Sequence, residues 1–509
     1  MNDKPKSKLR WRLLRWALIG LVALITFAAL LVTEENWRTK RAWENFKRAA
    51  EAHGGHFDMA SIIPPTVPDD QNFFCAPIVA ETLKDSGGAD SDPSGPQAYR
   101  LDLKIYRGDS ESWPKNGGNW QKGELTDLVQ WQRYFRNFAG TPEGKTNGFP
   151  VPAQPQTPAA DTLLALSIFN PPLEELRQAS LRPYARIPFD YGNDFGAAGE
   201  LLPGLANMKR CAQFLQLRTI AELQDNQNTP ALADIELLLR LNNCLREQPF
   251  LISHLVRIAM MAITLQPVYE GLAGHHWSDA QLAELELALS QQDYLADYEF
   301  AMRGELATAI DTCEKQRITG QIKYADEKGN VVTNSYGWAP AAFFYGSELA
   351  FVQMHQQFIV PIIDLTNRVA SPAALRKGQA AIESEKKHYH YYKILALMSL
   401  SGVGPSVMKF ARIQSELDLA RVACALERYQ LAHGNYPETL ETLAPQFIAQ
   451  VPHDLINGQP LHYRRTYDGK FILYSVGWDE KDDGGKVFLT AKGSVDQKKG
   501  DWVWQYPAP

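Results

Sequence analysis

Asp479, Asp482 and Asp483 place three carboxylates within five residues near the end of this 509-residue chain. Carboxylate oxygens and loop carbonyls are hard donors suited to Ca²⁺, so these three are the candidate metal ligands. The competing reading is a solvated acidic turn, the usual role of Asp beside Gly, and Lys481 and Lys486 would weaken a cation site. Other chemistry-bearing groups are less promising. Gly140-Thr-Pro-Glu-Gly144-Lys145-Thr146 imitates a phosphate loop but has one residue too few between its glycines, and Pro142 removes an amide donor. The histidines come as His53/His56, His275/His276 and His388/His390, without an H-E-x-x-H frame. No G-x-S-x-G elbow and no G-x-G-x-x-G opening a helix is present. Ordinary surface or capping histidines are expected, and no catalytic residue is assigned.

Those residues need a scaffold, and the N-terminus says where it is held. Residues 16–33 are an uncharged run of 18 residues, which as a helix reaches about 27 Å, near the thickness of a bilayer core. Ahead of it, six bases (Lys4, Lys6, Lys8, Arg10, Arg12, Arg15) face one acid, Asp3, for a net +5. The bias predicts a basic cytoplasmic tail (residues 1–15), a transmembrane anchor (16–33) and an exported, periplasmic body at a bacterial inner membrane. A cleaved signal peptide is the rival, although no small-x-small site follows the apolar run. Trp11, Trp16 and Trp37 fit interfacial positions at either side.

Of the chain's formal −6, everything after residue 15 carries −11. That argues against nucleic acid as a partner, because phosphate neutralisation needs clustered bases. Five scattered cysteines without C-x-x-C spacing make neither a disulfide framework nor a zinc site. One disulfide stays open, with no pair singled out.

Residues 34–62 read as a juxtamembrane helix or stalk stopped by Gly54-Gly55. Residues 63–198 are an irregular segment packed on the body: 16 of the 31 prolines fall between residues 64 and 188, yet the aromatics are too many for a linker. A strand over residues 98–107 and a helix over 125–138 are the expected exceptions. Residues 199–400 show apolar spacing of i, i+3, i+4 and a capping box at Ser278–Gln281, predicting five to eight antiparallel helices. Residues 394–408, broken by Gly402, Gly404 and Pro405, predict a buried segment rather than a second span. Residues 401–509 predict an α+β module: a helix ending at Gly434, a short helix at Leu440 and Leu443, and a β-hairpin around Asp468-Gly469.

That module carries an ordered series: Tyr429, Gly434-Asn435-Tyr436-Pro437, Pro452-His453-Asp454, Pro460-Leu461-His462-Tyr463, and Ser475-Val476-Gly477-Trp478-Asp479 before Gly484-Gly485. In this order it resembles the globular part of type II secretion major pseudopilins, over 70–90 residues. The resemblance implies a calcium loop after the final strand, with Asp479 matching the family's aspartate and Asp482 and Asp483 additional in a loop one residue longer. The chain departs from the family in lacking its N-terminal cleavage motif and in placing the anchor almost 400 residues upstream. The expected fold is therefore mainly α with a C-terminal α+β module. The expected function is structural or interaction-based, with envelope or secretion proteins as partners. An exported, hydrolase-like enzyme with a site assembled from distant residues is the alternative.

Overall fold

The fold is that of a computed structural model, described over residues 6–84, 103–115, 117–188, 191, 196–325, 331–335, 337, 339–388 and 390–507. It begins with α1 (Lys6–Glu51), a single helix of 46 residues. Its apolar first half is exposed. Beyond residue 34 the pattern becomes amphipathic: Thr39, Trp43, Phe46 and Ala50 recur at helical spacing and turn inward against the body. The expected stalk is therefore a clamped helix that packs along its neighbour rather than lifting the body away.

The proline-rich region is more regular than its composition suggests. It folds into α2 (Pro77–Lys84), α3 (Leu128–Ala139), α4 (Pro142–Asn147), α5 (Pro158–Leu166) and α6 (Asn170–Ala179). Pro142 and Pro158 sit in first turns behind threonine caps: Gly144 N–H donates to Thr141 Oγ1 and Ala160 N–H to Thr157 Oγ1. At that position proline loses nothing and presets φ. The expected strand does not form over residues 103–107, and residues 98–102 lie outside the described residues. Instead the Tyr134 hydroxyl holds this stretch, accepting from Arg107 N–H at 2.6 Å and donating to the Ile105 carbonyl at 3.1 Å. Phe73, Phe74, Trp131, Phe135 and Phe149 build a core of their own against the next helices.

Those are α7 (Gly196–Gln224), α8 (Asn228–Asn243), α9 (Leu251–Ala273), α10 (Asp279–Ser290), α11 (Tyr294–Thr319), α12 (Ala341–Phe358) and α13 (Pro372–Lys386). The capping box at Ser278 and Gln281 forms as expected. Then comes α14 (Ile394–His433), 40 residues with Pro405 inside it. The domain boundary expected at residue 400 thus falls within a helix. From residue 410 to 427 every residue except Arg421 is buried, and one hydrophobic core joins Trp43, Tyr298, Phe351, Ala420, Leu473 and Trp504. The C-terminal module and the helical body are one packed unit.

Strands are short. The hairpins are β1 (Gly117–Asn119) with β2 (Glu124–Thr126), β3 (Gln321–Ala325) with β4 (Val331–Ser335), and β5 (Ile363–Asp364) with β6 (Val369–Ala370). In the C-terminal region β7 (His462–Arg465), β8 (Phe471–Ser475) and β11 (Trp502–Gln505) make an antiparallel sheet in the order β11-β8-β7. His462 faces Tyr474 and Trp502 faces Ser475 across it. β9 (Val487–Leu489) pairs with β10 (Val495–Gly500) beside it. The hairpin turns at Asp468-Gly469, where Gly469 takes a φ of +77°.

Among the described residues three helices are long and apolar enough to cross a membrane: α1, α9 and the helix containing α14. In α1 the apolar window is entirely exposed, whereas in the other two 56% of it is buried inside the body. Those two also carry buried charges, Arg257 and Glu270 in α9, Arg412, Glu416 and Asp418 in α14. They serve the core.

Candidate functional site

A cleft of about 740 Å³ opens between the end of α1, α11, α12 and β5. Helical spacing builds two of its walls: Tyr298, Met302, Arg303 and Leu306 share one face of α11, and Val352, His355 and Gln356 one face of α12, continued by its C-cap Ile359. The third wall follows from the reversal after α1. Gly54 has a φ of +80°, which lets the chain fold back so that Phe57 meets Trp43 and Phe46 at 6.4 and 6.1 Å. Volume and mixed lining are those of a small-molecule pocket.

The floor holds two buried polar atoms without hydrogen-bond partners, Tyr298 Oη and His355 Nε2. Burial pushes the Tyr298 hydroxyl up, so it keeps its proton, and its ring meets Phe410 edge-on at 5.5 Å. Burial holds His355 down at about 4, against a hydrogen bond from its ring to the Met302 carbonyl, so the imidazole is neutral at pH 7. At the rim Glu299 and Arg303 are exposed. Asp364 is turned to its own loop, accepting from Asn367 N–H at 3.0 Å and Asn367 Nδ2 at 2.7 Å. Among the described residues lining the cleft none is Ser, Thr, Cys or Lys. The arrangement offers mostly apolar walls with two neutral polar atoms sealed beneath them, and among the described lining residues no hydroxyl, thiol or amine is hydrogen-bonded to a base. Arg303 also lines an adjoining hollow of about 390 Å³, with Ile62, Pro64, Tyr184 and Phe300.

The acidic loop lies elsewhere, after β8. Asp479 accepts from Lys481 N–H at 3.4 Å and Gly500 N–H at 3.3 Å. Asp482 accepts from the Tyr474 hydroxyl at 3.0 Å and Gly484 N–H at 2.9 Å, and faces His462 at 3.6 Å. Asp483 contributes its own N–H, donated at 3.2 Å to Asp501. The organising group is Asp501, which also accepts from Gly485 N–H at 2.6 Å and Lys486 N–H at 3.2 Å. Asp479 and Asp482 thus engage donors of the module itself. Among the described residues no group of three or more His, Cys, Asp or Glu is placed to hold a metal ion. Nothing in the sequence spacing pointed to Asp501, a lone acid before β11.

A second buried carboxylate ties two pieces of the ordered series together. Asp454 accepts from the Ser475 hydroxyl at 2.8 Å, Val476 N–H at 2.9 Å and Ile456 N–H at 2.9 Å. The histidines separate by role. His275 Nδ1 pairs with the buried Glu427, whose other oxygen accepts from the Tyr436 hydroxyl at 2.8 Å. This joins the end of α9 to α14 and the C-terminal module, and the Glu427 hydrogen bond raises the His275 pKa. His53, His388 and His390 are exposed, and His56 reaches the cleft. The phosphate-loop imitation is the cap and first turn of α4. None of the five cysteines, all of them described residues, is in a disulfide.

Compared with known proteins, the chain matches no family model, no curated protein and no solved structure. The resemblance of the C-terminal region therefore stands on its ordered residues alone.

Proposed function

We propose that this chain is a membrane-anchored protein of a bacterial envelope, with an exported body that acts by binding and a C-terminal pseudopilin-like interaction module, in secretion or envelope organisation. The observation that carries this reading is α1: one helix whose apolar half is wholly exposed and whose second half is clamped to the body. An exposed, uncharged helix of that length is stable in lipid and costly in water. Two measurements test it. Protease added to spheroplasts should digest the body, and cross-linked membranes should return envelope proteins with the chain; a body protected in the cytoplasm, or no partner recovered, would overturn it.

The cleft favours a second reading, an exported receptor or enzyme for a largely apolar molecule with one neutral polar group. Tyr298 Oη and His355 Nε2 lie sealed beneath the lining, so such a group would have to part the floor to satisfy them, recovering hydrogen bonds whose absence costs about 1–3 kcal/mol each. Thermal-shift screening with apolar alcohols and esters tests it, with Tyr298→Phe as control; ester turnover would make the reading a hydrolase. Calcium at Asp479, Asp482 and Asp483 belongs to the first reading. Melting midpoints that coincide in calcium and in chelator would remove it.

A further inference from the structure

The strongest unassigned surface is the end of the body nearest the anchor. We propose that this end, formed by Trp37, the end of α13 at Lys386 and Lys387, and the short turn Tyr391–Lys393, is seated in the headgroup layer of the bilayer that α1 crosses. The proposal rests on reading residues 16–33 as a span.

The heights follow from α1. Between residues 21 and 51 it contains neither Gly nor Pro, so nothing in it provides a hinge. Glu35 and Asn36 come two and three residues after the apolar run, a rise of about 3–4.5 Å. A headgroup layer is roughly 5–7 Å deep on each side of the hydrocarbon. At this height the body is already bonded to the helix. Asn36 Oδ1 accepts the Ala342 N–H at 2.7 Å, and the Tyr392 hydroxyl donates to Glu35. The first turn of α12 and the residues leading into α14 therefore stand level with the headgroups.

What stands there suits an interface. Trp37 is 60% exposed and has the Arg41 guanidinium 5.3 Å over its ring. Tyr391 is 37% exposed and rests against Phe343 at 4.8 Å. Such rings, apolar in body and polar at one tip, gather where hydrocarbon meets water. The charges agree. Lys386, Lys387 and Lys393 outnumber Glu383 and Glu385, and Arg38, Lys40 and Arg41 outnumber Glu34 and Glu35. An otherwise acidic body presents its anchored end with bases in surplus, the complement of anionic lipid.

The test uses the full chain in nanodiscs of phosphatidylethanolamine and phosphatidylglycerol, in a Cys75→Ser background because the other four cysteines are buried. Single cysteines carrying a polarity-sensitive fluorophore replace Phe27 in the span, Tyr391 and Lys387 at the seat, and Tyr467. Lys387 is exposed, so that site leaves the packing intact. Tyr467 is fully exposed on the β7–β8 hairpin, which is bonded to residues just past the far end of α14. Headgroup-spin-labelled lipid should cause loss of intensity at 391 and 387, acyl-labelled lipid should do so at 27, and position 467 should respond to neither. Quenching at 27 with none at 391 and 387 would overturn the seat and leave the anchor standing. No quenching at 27 would overturn the anchor itself.

Discussion

Helices α1 and α14 are the two longest in the protein, 46 and 40 residues, and both contain a stretch apolar enough to span a membrane. They end in opposite environments. The apolar run of α1 has no charge in it and no protein around it. The buried part of α14 holds charges, each answered: Arg412 meets Glu416 at 2.8 Å, Glu416 also accepts from Gln121, and Arg421 meets Asp418 at 3.2 Å and Glu286 at 3.0 Å. Apolar length alone does not separate a span from a core helix. Enclosure does: the stretch in α1 has none of its window buried, whereas 56% of that in α14 is buried and the helix runs on into paired charges, which lipid would leave without partners.

Arg412→Met should break this comparison most strongly. It leaves Glu416, whose carboxyl burial already pushes up, without its cation, and loss of one partner from a buried pair costs about 3–5 kcal/mol. Chemical denaturation of the full chain measures it, and a loss near zero would mean that α14 is less enclosed than described. The cleft histidine sharpens the same point through pH. His355 is held at about 4 when folded against about 6.5 in an unfolded chain. The unfolded state thus binds the proton first, and stability present above pH 6.5 is lost as pH falls toward 4. The full difference is on the order of 3 kcal/mol, and His355→Phe should flatten that part of the melting profile. His275 has the opposite sign. Its raised pKa makes its contact with Glu427 strongest below pH 6.5 and weaker as pH rises through the folded value, so His275→Gln should lose most relative to the parent in acid.

Smaller effects separate the carboxylates of the C-terminal loop. Asp501→Ala removes the acceptor of three amides and should cost about 2 kcal/mol, in the range for charged hydrogen bonds. Asp479→Asn keeps the shape of a group with two longer contacts and should change the midpoint little, within about 0.5 kcal/mol. Equal effects would return the loop's organisation to the acids chosen by spacing.

What could be read from the sequence was local. The long apolar N-terminal helix, the capping box at Ser278, the turn at Gly469 and the helix ending at Gly434 each have a short-range cause. The continuity of α14 was not legible, because Gly402, Gly404 and Pro405 argue against a helix until neighbouring elements enclose it. The proline-rich region misled by count, since Pro142 and Pro158 start helices. The cleft was invisible for a different reason: its walls come from residues 54–57, 298–306 and 352–365, which no spacing rule connects. Asp501 and Asp454 act through amides brought to them by the fold.

Alkaline extraction of membranes containing the full chain, compared with a Leu24→Arg/Phe27→Arg variant, tests the contrast between the two helices most directly. Each arginine costs about 2.5–3.5 kcal/mol at the centre of a span, while both positions are exposed and touch no core. The parent should stay in the pellet, and the variant should move to the supernatant with an unchanged melting midpoint for the body. A parent released by alkali, or a variant that unfolds, would contradict the assignment of α1 to the membrane and α14 to the core.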